Sequence, residues 1–367
     1  MFGFVGSKVG YVRAASLLGS AVVSCEEHRE RPQTAIVGTH QYVANRQIED
    51  RIAHSVFPSQ IQFVAVLDGH SGFQVAEHMT RALPALMQQN LESGASMATA
   101  MRQTFLQADT DWFSLVKPAY DLGFTGPIKA GACAVAIAIG QDAIVVGSVG
   151  DCKCVLARSS HDGTITSVDL NPQRNANLES EQTRLRALHP TEDDVVKCKR
   201  SWKEAVVESS WVPWKTEPKF VTRHSGCYVK GRLQPTKSFG DFHLKRADVK
   251  VDPERNQPFL NQPKSYPYID ADPDVSVTGR RVGEDKFLIA ATDGLWDQFS
   301  SHEAVHIVVE RLKAGRTVDE AALDLVDAAL VRAAEENKIS LEEMRRLPPG
   351  SSRRNLHDDI SVCIVLL

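Results

Sequence analysis

The sequence lacks any uninterrupted apolar run of the roughly 18 to 20 residues that a membrane-crossing helix requires, so a transmembrane chain is not indicated. It also lacks an excess of one charge. Its 42 basic and 46 acidic side chains leave a net charge of −4, without the basic footprint of a nucleic-acid-binding domain. Seventeen prolines and 23 glycines are too few for collagen or a globally disordered chain. Cysteine is scarce and unpaired in pattern: Cys25, Cys133, Cys152, Cys154, Cys198, Cys227 and Cys363 are odd in number and include no C-x-x-C. Free thiols in a reducing intracellular compartment are the simplest reading.

What is present is the composition of a packed soluble protein, 43% apolar and 24% charged. Residues 1–25 carry Lys8 and Arg13, no acid, and an apolar stretch at 14–23. That pattern suits an organellar or secretory targeting segment, or a first buried strand and its approach. Residues 1–35 are read as an N-terminal extension and 36–367 as one domain.

Residues 61–67 read as a strand, and Val75, Met79 and Leu83, then Met101, Phe105, Ala108 and Trp112, repeat at helical spacing. Pro84 should kink or shorten the first helix. Short β-prone runs at 131–139, 143–149 and 152–157 suggest an antiparallel meander, followed by a helix over 179–188. Residues 191–228 carry three tryptophans without a sustained period and are read as a packed flap. Ser300-x-x-Glu303 and Thr317-x-x-Glu320 have the form of capping boxes; 337–355 reads as a loop and 360–367 as the last strand. The sum is an α+β domain of two antiparallel sheets flanked by helices.

Five acidic sites fall at strand ends or tight turns: Glu49-Asp50, Asp68-Gly69-His70, Gly150-Asp151, Asp293 to Asp297, and Asp358-Asp359. Each alone is an ordinary turn, and solvated turns that never meet are the plain alternative. Together they suggest a hard-cation site, because Mg²⁺ and Mn²⁺ favour oxygen ligands and buried carboxylates need counter-charge.

The ordered set resembles the metal-dependent serine/threonine protein phosphatases of the 2C type, especially the pyruvate dehydrogenase phosphatase branch. It runs through Ile48-Glu49-Asp50-Arg51, Val66-Leu67-Asp68-Gly69-His70, Val149-Gly150-Asp151, residues 233–241, residues 291–297 and Asp358-Asp359-Ile360-Ser361. The resemblance implies a four-layer α-β-β-α sandwich. It implies two Mg²⁺ or Mn²⁺ ions bridged by Asp68, with the Gly69 carbonyl, Glu49, Asp293 and Asp358 as further ligands and Asp50 behind them. A third, weaker ion would sit at Asp151 and Asp297. His70 takes the position of the family's general acid, a role suited to its near-neutral pKa. No covalent phosphoenzyme is needed. Cys25 and Arg31 match only the bare Cys-x5-Arg spacing of cysteine phosphatases, without the glycines.

Departures from the pattern are local. Asn45 stands where many members have a phosphate-clamping arginine, with Arg46 as a substitute one step later. Ser71 replaces a frequent glycine, which the turn accepts if φ stays negative. Asp169-Leu170-Asn171-Pro172 lacks the histidine of the usual Asp-His-Lys/Asn motif, and Lys237 stands where arginine is commoner. The implied partners are phosphoprotein substrates, with the pyruvate dehydrogenase E1 α-subunit suggested by the branch. A monomer, mitochondrial or cytoplasmic, is expected. The competing readings are a catalytically silent scaffold and a hydrolase of small phosphate esters; intact Asp68, Asp293 and Asp358 weigh against the scaffold.

Overall fold

An apolar run with no polar face cannot lie at a surface, and Phe63–Leu67 becomes the middle of a strand buried on both sides, β3 (Gln62–His70). Successive side chains point to opposite faces. Phe63, Ala65 and Leu67 therefore meet one layer while Val64 and Val66 meet another. The computed structural model describes residues 35–205 and 219–367. One compact unit spans Thr34–Leu367. Apart from residue 35, the expected N-terminal extension lies outside the described residues.

Two antiparallel sheets form the centre. In the first, β3 is flanked by β2 (Arg51–Val56) and β4 (Gly131–Ile139), with β5 (Ala143–Val149) and β13 (Asp274–Gly279) beyond β4. The two-residue strand β10 (Phe239–Gly240) also pairs with β4. The second sheet runs β1 (Val37–Tyr42), β15 (Ile360–Leu366), β14 (Asp285–Ala291), β6 (Lys153–Ser159), β7 (Ile165–Asp169).

Helices α1 (Gln74–Glu92) and α2 (Met97–Asp121) set Met79, Leu83, Met101 and Phe105 on the first sheet. Helices α7 (Ser301–Lys313) and α8 (Val318–Glu336) set Val305, Val308, Leu325 and Val326 on the second. Val64, Val66, Val135, Ile137, Leu288 and Val365 fill the space between the sheets. This is the four-layer sandwich, with three apolar seams. Short helices α3 (Gly126–Lys129), α4 (Glu179–Leu188), α5 (Phe242–Lys245), α6 (Asp293–Trp296), α9 (Leu341–Arg346) and α10 (Ser351–Arg354) connect these layers. No described helix is long and apolar enough to cross a membrane.

Several elements differ from their sequence reading. Pro84 lies inside an unbroken α1, where Leu83 and Met87 are fully buried and their packing outweighs one missing backbone bond. The meander is not one sheet: after β5 the chain crosses at Gly150-Asp151, and β6 pairs with β14 and β7 instead. The loop at 337–355 contains α9, opened by a third capping box at Ser340 and Glu343, and α10. The flap is a two-stranded ribbon, β8 (Val196–Ala205) with β9 (Lys219–Val229); its tip, with Trp211 and Trp214, lies outside the described residues. Cys198 and Cys227 face each other across that ribbon and are joined by a disulfide, which corrects the reading of uniformly free thiols. Cys133, Cys152, Cys154 and Cys363 are free and buried. A small hairpin, β11 (Val251–Asp252) and β12 (Gln257–Pro258), follows α5.

Glu181 in α4 ties the crossing region together. Its buried carboxylate accepts from Arg174 at 2.6 Å, from Arg184 at 2.7 Å and from the Thr236 hydroxyl, while Arg174 also clasps Asp274 at the start of β13. Burial opposes the charge, but these donors hold its pKa down to about 2. Glu181→Ala, which strands those donors, is expected to cost about 2 kcal/mol in urea unfolding. A loss below about 0.5 kcal/mol, the range of an ordinary surface change, would contradict the network.

Candidate metal centre and active site

The acidic sites converge because strand ends from both sheets meet at one place. Asp68 lies near the end of β3, Asp151 on the crossing from β5 to β6, and Asp293 at the start of α6, directly after β14. One carboxylate oxygen from each of these three lies within 4.8 Å of the others. Asp151, expected at an outer site, lies beside Asp68 and Asp293 in this group. Asparagine 175 holds it by donating Nδ2–H to Asp151 Oδ2 at 2.7 Å. Asn171 secures the same crossing by accepting from the Cys154 N–H at 2.7 Å and donating to the Cys152 carbonyl at 2.9 Å.

The other acidic residues surround this group. Asp358 faces Asp68 and Asp293 closely enough to repel them, and Arg354 pairs with it. Asp297 adds its repulsion to both Asp293 and Asp358. Glu49 lies nearer to His70 and Asp359. Gly69 is needed because a Cβ there would stand 2.5 Å from the Glu49 carbonyl oxygen. Asp50 is buried and accepts from the Thr292 hydroxyl at 3.0 Å, so it braces the entry to α6.

Asn45 and Arg46 do not join the group. Asn45 donates through its backbone and Nδ2 to Asp359, which also accepts from the backbone of Ala44 and Glu49. Asp359 therefore shapes the 44–49 segment, a role that its position beside Asp358 in sequence did not reveal. Arg46 is exposed and forms none of the ion pairs of the described residues.

His70 has a partner that sequence reasoning missed. Its Nε2 lies 2.6 Å from Asp241 Oδ2, and the same carboxylate oxygen accepts from the Ser238 hydroxyl at 2.7 Å. Burial disfavours the imidazolium, but Asp241 carries the His70 pKa above its usual value. The contact needs Gly131, where a Cβ would stand 2.0 Å from Asp241 Oδ2 and 2.4 Å from His70 Nε2. The only signal in the sequence was the Phe239-Gly240-Asp241 motif, 171 residues away from His70. Ser71, expected at negative φ, has φ 58°, a left-handed backbone that costs about 1 kcal/mol for a non-glycine residue.

The donor set fits hard divalent cations. Burial first, then mutual repulsion, raises Asp68 and Asp293 well above the carboxylate range, and burial pushes Asp358 up to about 6. Asp293 Oδ1 is buried without a hydrogen-bond partner among the described residues. None of the ion pairs of the described residues neutralises Asp68, Asp151 or Asp293. Oxygen-only ligands and missing counter-charge suit Mg²⁺ or Mn²⁺ better than softer metals. A cavity of about 400 Å³ opens on Asp151, Asp293 and Asp297 and is walled by Gly226 and Tyr228 of β9, so the ribbon borders this group. Thiol chemistry finds no support: Cys152 and Arg158 also have Cys-x5-Arg spacing, but burial pushes that thiol well up and Arg158 pairs with Asp285.

Comparison with known proteins agrees with this geometry. A family model described as "Protein phosphatase 2C" matches residues 38–338. The chain is 31% identical over 308 residues to "Probable protein phosphatase 2C 67" of Arabidopsis thaliana, covering 83% of this chain and 74% of that one. It is 29% identical over 326 residues to "Probable protein phosphatase 2C 78" of Oryza sativa subsp. japonica, covering 88% and 75%. Among solved structures, the serine-threonine phosphatase 2C of Toxoplasma gondii superposes with a TM-score of 0.59 at 16% identity, covering 90% of this chain and 94% of that one. A C. elegans sex-determining protein gives 0.58 at 18% identity, covering 92% and 66%. These two likenesses concern the fold alone.

The raised carboxyls set a pH dependence. Asp50, Asp68, Asp293 and Asp358 have higher pKa values folded than unfolded, so their contribution to stability is full below about pH 4 and is lost as pH rises through the folded values. In EDTA, the Tm is therefore expected to fall between about pH 5 and pH 7.5. Cations bind the deprotonated cluster, so Mn²⁺ should raise Tm more at the upper pH. A metal-free Tm that climbs over this interval, or an equal Mn²⁺ increment at both ends, would contradict the cluster's electrostatics.

Proposed function

The chain belongs to the protein phosphatase 2C family, and we propose that it is a metal-dependent phosphatase acting on phosphoserine and phosphothreonine in proteins. The carrying observation is the convergence of Asp68, Asp151 and Asp293, with an unpartnered buried oxygen on Asp293. In this reading Asp68, Asp293 and Asp358 hold two Mg²⁺ or Mn²⁺ ions, helped by Glu49 and the Gly69 carbonyl. Asp151 and Asp297 provide for a third. When bound, such cations supply a water acidic enough to attack phosphorus near neutral pH and positive charge for the phosphoryl oxygens.

The chain's own residues do the rest. Strand ends from two sheets hold the carboxylates in fixed positions, so the acidic cluster needs little reorganisation. Asp241 accepts from His70 Nε2, which leaves Nδ1 as the nitrogen that passes a proton to the departing serine or threonine oxygen. Asp241 also favours the protonated ring. A silent scaffold would leave the desolvated cluster without a counter-charge, which disfavours that alternative. The pyruvate dehydrogenase branch, and its E1 α-subunit as substrate, rests on the Asn45 pattern alone. An intracellular location, mitochondrial or cytoplasmic, goes with the reading as an expectation of the resemblance; the Cys198–Cys227 disulfide does not speak for it.

Purified protein with Mn²⁺ should hydrolyse phosphoserine peptides and lose this activity to chelation. Asp68→Asn should weaken Mn²⁺ binding in calorimetry and turnover together; wild-type affinity and stoichiometry would remove Asp68 from the metal site.

His70→Gln should retain metal binding yet lose on the order of 100-fold in kcat on an alkyl phosphoserine. Its loss on an aryl phosphate, whose leaving group needs less protonation, should be smaller. With chemistry rate-limiting, equal losses on the two substrates would make His70 a site organiser rather than a proton donor.

A further inference from the structure

Beside His70 the described residues form a second cavity, of about 220 Å³. Its lining includes Ser71, Lys129, Arg232, His243, Asp252 and Arg255. Three cations therefore face a single carboxylate. Asp252 is buried, 3.6 Å from Lys129 Nζ and 4.0 Å from Arg255 Nε. Arg232 is exposed and forms no ion pair among the described residues. A net positive cavity is conspicuous beside a cluster of negative charge.

Two further observations point to a ligand. His243 Nδ1 is buried without a hydrogen-bond partner among the described residues, and buried polar atoms generally have one. Ser71 is held in a left-handed backbone at the cavity wall, and strain of that kind collects at functional sites. The volume is about seven times the share of one water, which admits a phosphate or a carboxylate side chain.

The position relates the cavity to the reaction. Ser71 follows His70, and His243 lies two residues beyond Asp241, the partner of His70. His70 marks the leaving-group side, where the rest of the substrate chain must continue. We propose that this cavity is an anion subsite for a phosphopeptide, accepting a second acidic group near the scissile phosphoserine or phosphothreonine. Arg232 and Arg255 would attract that group, while the metal-free carboxylates of the main cluster would repel it. This proposal rests on the phosphatase reading above.

The test compares three phosphopeptides of one sequence, flanked by neutral residues, by glutamates, or by a second phosphoserine. The wild type should favour the acidic peptides over the neutral one in kcat/KM by about fivefold, the effect of two modest charge contacts. Preference for both acidic peptides assigns a general anion subsite; preference for the doubly phosphorylated one alone assigns a phosphate subsite. In Arg232→Ala/Arg255→Ala the ratio should fall towards one, and Arg232→Lys/Arg255→Lys should restore much of it. Added salt should lower the wild-type ratio. No wild-type preference, or a preference unchanged in the alanine variant, overturns the proposal. Were turnover absent for every peptide, the phosphatase reading would fail separately. Fluorescence anisotropy of the labelled glutamate peptide on Mn²⁺-loaded protein then decides the subsite: binding tighter than the neutral peptide and lost in the alanine variant supports it, and equal binding overturns it.

Discussion

Negative charge removed from water at the meeting of two sheets is the constraint on which this structure turns. Asp68 reaches the point from one sheet and Asp293 from the other, while Asp151 lies on the strand crossing between them. No cationic side chain of the described residues pairs with these three. The apolar seams supply the rigidity that holds such mutually repelling groups together. In the proposed function, a divalent cation supplies the missing charge.

A second constraint is steric. His70 and Asp241 meet only because Gly131 presents no side chain between them. Strand β4 thus serves both as a central strand and as the floor beneath the His70–Asp241 pair. Ser238 donates to the same carboxylate, so the imidazole is held by a pair of groups that are themselves buried. The β8–β9 ribbon borders one side of the acidic cluster, and the cationic cavity is lined by Ser71, next to His70 in the chain. Opposite charges are therefore kept in separate compartments of one surface.

Elements governed by local chemistry were readable in the sequence. The capping boxes at Ser300 and Thr317 form as written, because their bonds lie within one turn. Helix α4 spans Glu179–Leu188, and the apolar stripes of α1 and α2 face the sheet. Elements governed by distant partners were not. Pro84 sits in an intact helix because the sheet beneath it rewards continuation. The strands 196–205 and 219–229 have no apolar period in the sequence, and pairing of their own backbones defines the ribbon.

The sequence alone determined the order of the acidic motifs and the two-sheet class, and it singled out His70 as a candidate, because each depends on residue type and near neighbours. Tertiary structure decided which carboxylates share a site. It set Asp151 beside Asp68 and Asp293 through the crossing between sheets, turned Asn45 towards Asp359, and joined His70 to Asp241 across 171 residues. Those outcomes depend on register and on the close approach allowed at Gly131 and Gly69, which are properties of packed strands and not of any single segment.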